Sequence, residues 1–397
     1  MDDWIETFMD YSNGLPTPEV FRLWSAIGVV AGALEQRVWT QTGLKPLYPH
    51  LYTLLVAPPG VGKTNAIDLA MELIFQSKGV GQEGFHIAPN SVTRASLIDT
   101  LAESGRKIIR PTGGLLEYHS LFISAGEFGV LVPTHDLEFL SVLNSIYDVG
   151  RAHRERRRGG NLDQEIIRPQ LNILAGTQPL FLGSLLPEEA WGMGTTSRLI
   201  LIYAPIGPKV KIFLKRQERP DLEKSLVQGI RKLTKLIGEM VWTDEAMAYL
   251  QAWVDADCPP APTHSKLQNY NPRRWLHVMK LSMISAASGG CRLSVEPKDF
   301  LRARTWLLDA EATMPDIFRD MAGRSDTQVL QDLHYFLWQL YNKEKKPIHE
   351  SRVIHWMAAK APSDKIGNIL LVAEKSGMIS VSNGCYTPRP KHEHGQE

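Results

Sequence analysis

The stretch LYTLLVAPPGVGKTNAIDLAMELIF, residues 51–75, decides how the chain is read. Its first seven residues form a continuous apolar run bounded by prolines, the pattern of a strand buried on both faces of a parallel sheet. APPGVGKT (57–64) follows, and a helical pattern runs on from Asn65. The P-loop pattern G-x-x-x-x-G-K-[ST] is matched at every position but the first, where Ala57 replaces glycine. Gly60 and Gly62 let the backbone of Pro59–Asn65 turn so that the N–H groups from Gly60 onward, Val61 among them, surround a phosphate. Lys63 adds a point charge for the β- and γ-phosphates, and Thr64 a hydroxyl for Mg²⁺. Ala57 is tolerated if its φ is negative, because a β-carbon is penalised only in the left-handed region. ATP with Mg²⁺ is the expected ligand; a turn that merely joins strand to helix is the alternative.

The next apolar run, LFISAGEFGVLV (121–132), ends in Glu127 about sixty residues later. A carboxylate at a neighbouring strand's end orients the attacking water in such sites. Gly126 stands where an aspartate would serve the metal, which leaves Mg²⁺ to Thr64, the phosphates and water. LNILAGTQP (171–179) ends in Thr177 and Gln178, placed to hold that water or sense the γ-phosphate, or simply to close a polar strand end. Arg198 precedes the apolar run of SRLILIYA (197–204) and is read as an arginine finger acting in trans, with a surface ion pair as the alternative. Arg273 and Arg274 open the helix PRRWLHVMKLSMISA (272–286), as lid contacts to nucleotide or as solvated helix ends.

Composition sets the frame for these motifs. With 397 residues, 43% apolar and 22% charged, the chain suits a soluble protein of two or three domains. Its formal net charge of +1 requires any nucleic-acid affinity to be local. Cys258, Cys291 and Cys385 are scattered and odd in number, which fits a reducing compartment and excludes a disulfide framework. The acidic start MDDWIETFMD has no signal-peptide n-region, and no apolar run approaches a membrane span, so the expectation is cytoplasmic.

RAHRERRRGGNLDQEIIRPQ (151–170) supplies a local charge, with five arginines and one glutamate in residues 151–158. Two extended arms flank Gly159-Gly160-Asn161, the pattern of a β-hairpin. Arg151, Arg154, Arg156, Arg157 and Arg158 are the candidates for phosphate contacts with nucleic acid; a solvated run or a subunit surface is the alternative.

Alternating strands and helices over residues 45–207 predict a parallel sheet covered on both faces. Before them, residues 1–44 read as a helical segment, helical through Trp39. After them, 208–322 read as a helical region, Gly323–Asp326 as a linker, and 327–388 as three helices and a hairpin turning at Ser382-Asn383-Gly384, which describes a winged helix. The third of these helices, with three lysines against two acids in 360–376, suits DNA only weakly and protein docking equally. The last residues, 389–397, read as a disordered tail.

In order, VFRLWSAIGVVAGALEQRVW, YPHLYTLLVAPPGVGKT, SVTRASLIDTL, ISAGEFG, PQLNILAGTQP and TTSRLILIY resemble the phage- and mobile-element-encoded helicase-like P-loop ATPases, similar in pattern to the minichromosome maintenance helicases of the AAA+ class. The resemblance spans roughly residues 15–310. It implies a P-loop NTPase core of AAA+/RecA-like type with a helical lid, in a ring, expected to be a hexamer, with ATP at subunit interfaces. It further implies Glu127 as catalytic carboxylate, Thr177 or Gln178 as first sensor, Arg198 as trans finger, Arg273 or Arg274 as second sensor, and the basic hairpin in the ring's channel. The function so implied is an ATP-driven DNA translocase or replicative helicase of a phage or mobile element, acting in the cytoplasm of a bacterial cell. The alternative is a helicase loader or regulatory ATP switch that binds a replication protein without unwinding.

Overall fold

The apolar run at 51–57 becomes the strand Tyr52–Val56, buried at every residue, in the computed structural model of the chain. That model describes residues 3–43, 45–78, 84–89, 94–111, 113–132, 136–150, 152–156, 163–186, 188–192, 194–209, 218–358 and 363–389. The chain is α/β and divides into two units, Met1–Ile317 and Phe318–Glu397.

In the first unit a five-stranded sheet runs in the order Gly105–Ile109, Leu115–Ala125, Pro169–Thr177, Tyr52–Val56, Leu199–Tyr203. The last four are mutually parallel, and the first is an antiparallel edge. The sheet is therefore mixed, a departure from the all-parallel expectation. The physical cause is that the Arg110 N–H donates to the Gly114 carbonyl at 3.0 Å and the chain returns alongside itself as a hairpin, so that the strand ending at Ala125 starts already at Leu115. Residues 85–89 add a parallel bridge between Ile87 and Phe122.

Pro169–Thr177 is buried throughout, as its position between two partners demands. Because it intervenes between the strands ending at Val56 and Ala125, their carboxyl ends are separated by one strand width, with Thr177 between them. Helix Glu19–Leu34 packs against this strand and against Lys63–Lys78. Gly32 permits its close approach to the neighbouring strand Leu115–Ala125 as well: a β-carbon there would come within 2.4 Å of the Phe122 ring. The glycine that weakens helix propensity thus serves packing.

Two boundaries differ from the sequence reading. Val38–Gln41 is a strand, pairing with Pro46–Leu47 and Gly238–Glu239, rather than a helix end. Residues 323–326, read as a linker, lie inside the helix Pro297–Glu344. A lone glycine costs a helix only about 1 kcal/mol relative to alanine and does not break it.

The second unit contains helices Glu350–Ala358 and Ser363–Lys375 and a three-stranded antiparallel sheet, with Cys385–Pro388 between Ile348–His349 and Ile379–Ser382. Its core gathers Leu333, Leu337, Ile348, Val353, Ile369 and Tyr386. The hairpin turns at Asn383 and Gly384, both at positive φ, as the Ser-Asn-Gly signal predicts. The tail 390–397 lies outside the described residues. No helix among the described residues is long and apolar enough to cross a membrane.

Candidate nucleotide site and the opposite sheet edge

The loop after Val56 closes on the start of helix Lys63–Lys78. Gly60 and Gly62 take φ of +79° and +97°, which only glycine adopts cheaply. Ala57 is not among the residues at positive φ, so its β-carbon costs nothing there. Its N–H donates to the Thr177 carbonyl at 3.2 Å, tying the loop's root to the neighbouring strand. The Lys63 side chain is buried, with Nζ donating to the carbonyls of Ala57 (2.8 Å) and Pro58 (3.2 Å). Burial lowers the ammonium's pKa, and Glu127 acts in the opposite direction.

Glu127 stands just beyond Ala125 at the end of its strand, in extended conformation. Gln178 Nε2 donates to Glu127 Oε1 at 3.4 Å. Thr177 is fully buried and its hydroxyl has no hydrogen-bond partner among the described residues. Lys63, Thr64, Glu127, Thr177 and Gln178 thus meet at the carboxyl ends of three parallel strands, where ligands of open α/β sheets bind.

The donors present are the Thr64 hydroxyl and the Glu127 carboxylate. Among the described residues no group of three acidic, histidine or cysteine side chains could hold a metal by itself. This set fits a Mg²⁺ ion carried by a nucleotide's phosphates and by water rather than one caged by protein.

One contributor to the cradle has no signal in the motif. The turn between helices Trp4–Tyr11 and Glu19–Leu34 lies directly on the loop, so that a β-carbon on Gly62 would approach the Pro16 carbonyl to 2.3 Å. Thr17 beside it is buried with its hydroxyl unpartnered among the described residues.

Arg198 and Arg273 are elsewhere. Tyr52 pairs with Leu199 and Val56 with Tyr203, so Arg198 sits at the amino-terminal edge of the sheet. Five strand residues separate that edge from the cradle, roughly 17 Å at about 3.3 Å per residue. Arg198 Nη2 donates to Asp148 Oδ2 at 2.5 Å, and Arg273 Nη1 to Asp148 Oδ1 at 3.4 Å. Burial raises the Asp148 pKa, but the two guanidiniums outweigh it and leave the carboxyl below its ordinary value. The Arg198 side chain is 11% exposed and that of Arg273 is 29% exposed, so Arg273 is the more accessible of the two.

Arg274 is separate again. It is fully buried, bonded to both Glu311 oxygens (2.8 and 2.6 Å) and to the carbonyls of Cys258 and Pro260. It braces the packing of the helix Arg274–Ser288 and has no face toward a ligand, which sets it apart from its neighbour in the pair read as a lid contact. Burial drives the Glu311 carboxyl upward against the pull of Arg274.

The basic segment forms the antiparallel hairpin its arms predict, His153–Arg156 against Asp163–Ile166. Arg154 pairs with Glu165 across it at 2.8 Å, exposed on both sides. Arg156 is the last residue of the first arm; Arg151, Arg157, Arg158 and the tip lie outside the described residues.

Compared with known proteins, the chain matches no family model and no curated protein.

Proposed function

We propose that the chain is a P-loop ATPase of the AAA+ type that works on DNA as a ring-forming translocase or helicase. The observation that carries this reading is the convergence of Lys63, Glu127 and Gln178 beyond the ends of neighbouring parallel strands. In it, the cradle backbone and Lys63 hold the triphosphate, and Glu127, steadied by Gln178, orients the attacking water. Bound Mg²⁺ supplies charge neutralisation at the phosphates. Thr177, with a free buried hydroxyl, senses the γ-phosphate.

Arg198 stands at the far edge from its own cradle and therefore serves a neighbouring subunit's site, with Arg273 beside it on Asp148. The arginine hairpin contacts the DNA backbone, and the second unit acts as a winged helix toward DNA or a replication protein.

ATPase rate with and without single-stranded DNA, paired with strand displacement on a forked duplex, tests the reading. DNA-stimulated hydrolysis and unwinding are expected. Lys63→Ala is expected to abolish ATP binding; unchanged affinity would refute the site.

A second reading is a helicase loader or regulatory ATP switch. Gly126 favours it, since this position, whose β-carbon would stand 3.9 Å from the Thr64 hydroxyl, carries no carboxylate to hasten turnover. Nucleotide-dependent binding of a replication protein, without DNA stimulation or unwinding, would establish it in place of the first.

A further inference from the structure

A cleft of about 640 Å³ opens beneath the amino-terminal ends of the parallel strands, the edge remote from the cradle. Lys45, Arg110 and Arg168 line it, and among the described residues none of the three is in an ion pair. An adjoining cavity of about 280 Å³ shares Lys45, Tyr48 and Asp148 with it and adds Arg273. Arg198 and Arg273 both rest on Asp148, and the adjoining cavity also holds Lys280, so the two cavities gather basic side chains from several elements along one lining. This concentration stands out in a chain of net charge +1.

Arg110 is held in place by packing. Arg110 lies over the Trp39 ring with its guanidinium carbon 4.8 Å from the centroid. Trp39 itself packs with Tyr48 and Val149 in a small buried cluster that floors the cleft. The Arg110 Nε is buried without a hydrogen-bond acceptor among the described residues, a donor left for an incoming oxygen. Arg168 has its carbonyl fixed by Gln36 Nε2 at 2.6 Å, with its backbone at φ +45°. Like charges drawn together on separate elements repel one another, and an anionic ligand relieves that cost.

Two residues of the cleft's lining flank the arginine hairpin in sequence. Gly150 lines it one residue before the basic segment, and Arg168 follows two residues after the strand Asp163–Ile166. Three cations on separate elements that line one cleft suit a ligand carrying several phosphates in a row.

We infer that this cleft binds the phosphodiester backbone of a single-stranded nucleic acid where the strand leaves the hairpin, Lys45, Arg110 and Arg168 each meeting a phosphate. The inference rests on the nucleic-acid part of the proposed function and adds a subsite to it that lies off the hairpin.

The test is binding of a fluorescein-labelled oligothymidylate, followed by anisotropy over a range of salt, for the full chain and for Lys45→Gln/Arg168→Gln. On a single strand, each phosphate that a cation no longer neutralises lowers the slope of log affinity against log salt by about 0.7, so the double variant is expected to lower it by about 1.4. Lys45 is exposed, so Lys45→Gln alone, expected to lower the slope by about 0.7, keeps the test open if the double variant misfolds. If the unaltered chain does not bind the oligonucleotide, the nucleic-acid reading and the cleft fall together. If it binds and the variants keep its slope, the cleft inference alone falls. Competition with inorganic tripolyphosphate in a Lys63→Ala background separates the phosphate sources. Cleft variants that no longer bind tripolyphosphate but keep the oligonucleotide slope would show a free-polyphosphate site and overturn the inference.

Discussion

A β-carbon built on Gly126 would stand 3.9 Å from the Thr64 hydroxyl oxygen, with no atom other than those of Thr64 within 4 Å. The position is open, close to the Thr64 hydroxyl, and not at positive φ. Gly126→Asp therefore fits, and its carboxylate would lie beside the hydroxyl expected to meet Mg²⁺. We expect the Mg²⁺ concentration for half-maximal ATPase to fall about tenfold, equivalent to about 1.4 kcal/mol. Unchanged Mg²⁺ dependence in a titration would show that water already fills this role.

The placement of Arg198 predicts complementation between subunits. Arg198→Ala and Glu127→Gln are each expected to be inactive alone. Mixed in equal amounts, a cradle from one and an arginine from the other reconstitute about a quarter of the interfaces. A mixture no more active than the separate variants would return Arg198 to a structural role with Asp148.

Acid is expected to destabilise the first unit through His277. The ring is fully buried, its Nε2 lies 3.0 Å from the Ser197 carbonyl, and burial followed by Lys280 pushes its pKa down to about 3. The folded value lies below the unfolded one near 6.5, so the stability is complete above that pH. As pH falls from about 6.5 toward 3, the unfolded chain binds a proton that the folded chain refuses, costing on the order of 2 kcal/mol by pH 5. His50, lowered by burial and by Lys280, acts in the same direction. Thermal melting at pH 7.5 and 5.0 reads this, and His277→Phe, which retains the stacking on Tyr270 at 5.5 Å, should shrink the difference. A melting temperature independent of pH would refute it.

The Arg274–Glu311 pair predicts a stability effect without a nucleotide effect. Removing one partner of a fully buried, hydrogen-bonded pair costs about 3–5 kcal/mol. Arg274→Met should lower the denaturant midpoint accordingly while leaving ATP affinity unchanged in the protein that remains folded. A loss of ATP affinity in that folded protein would restore Arg274 as a nucleotide contact.

Much of this was legible in the chain. The loop of residues 57–64 depends on local backbone freedom, so Gly60 and Gly62 announce its two positive-φ turns between a buried strand and a helix unaided. The buried strands and the arginine hairpin are likewise local patterns of hydrophobicity and turn residues. Val38–Gln41 and the edge strand Gly105–Ile109 escaped because their pairing, not their composition, makes them strands.

What only the tertiary structure decided is which distant residues meet. Strand order does not follow chain order: Pro169–Thr177 enters between Tyr52–Val56 and Leu115–Ala125, and so brings Gln178 to Glu127. The same parallel register sends Arg198 to the opposite edge, where it meets Arg273 across Asp148. Pro16 reaches Gly62 only because a helix crosses the sheet. A motif fixes backbone geometry over a few residues. Contacts across fifty or more residues depend on how buried surfaces share one core, and no short stretch of sequence carries that.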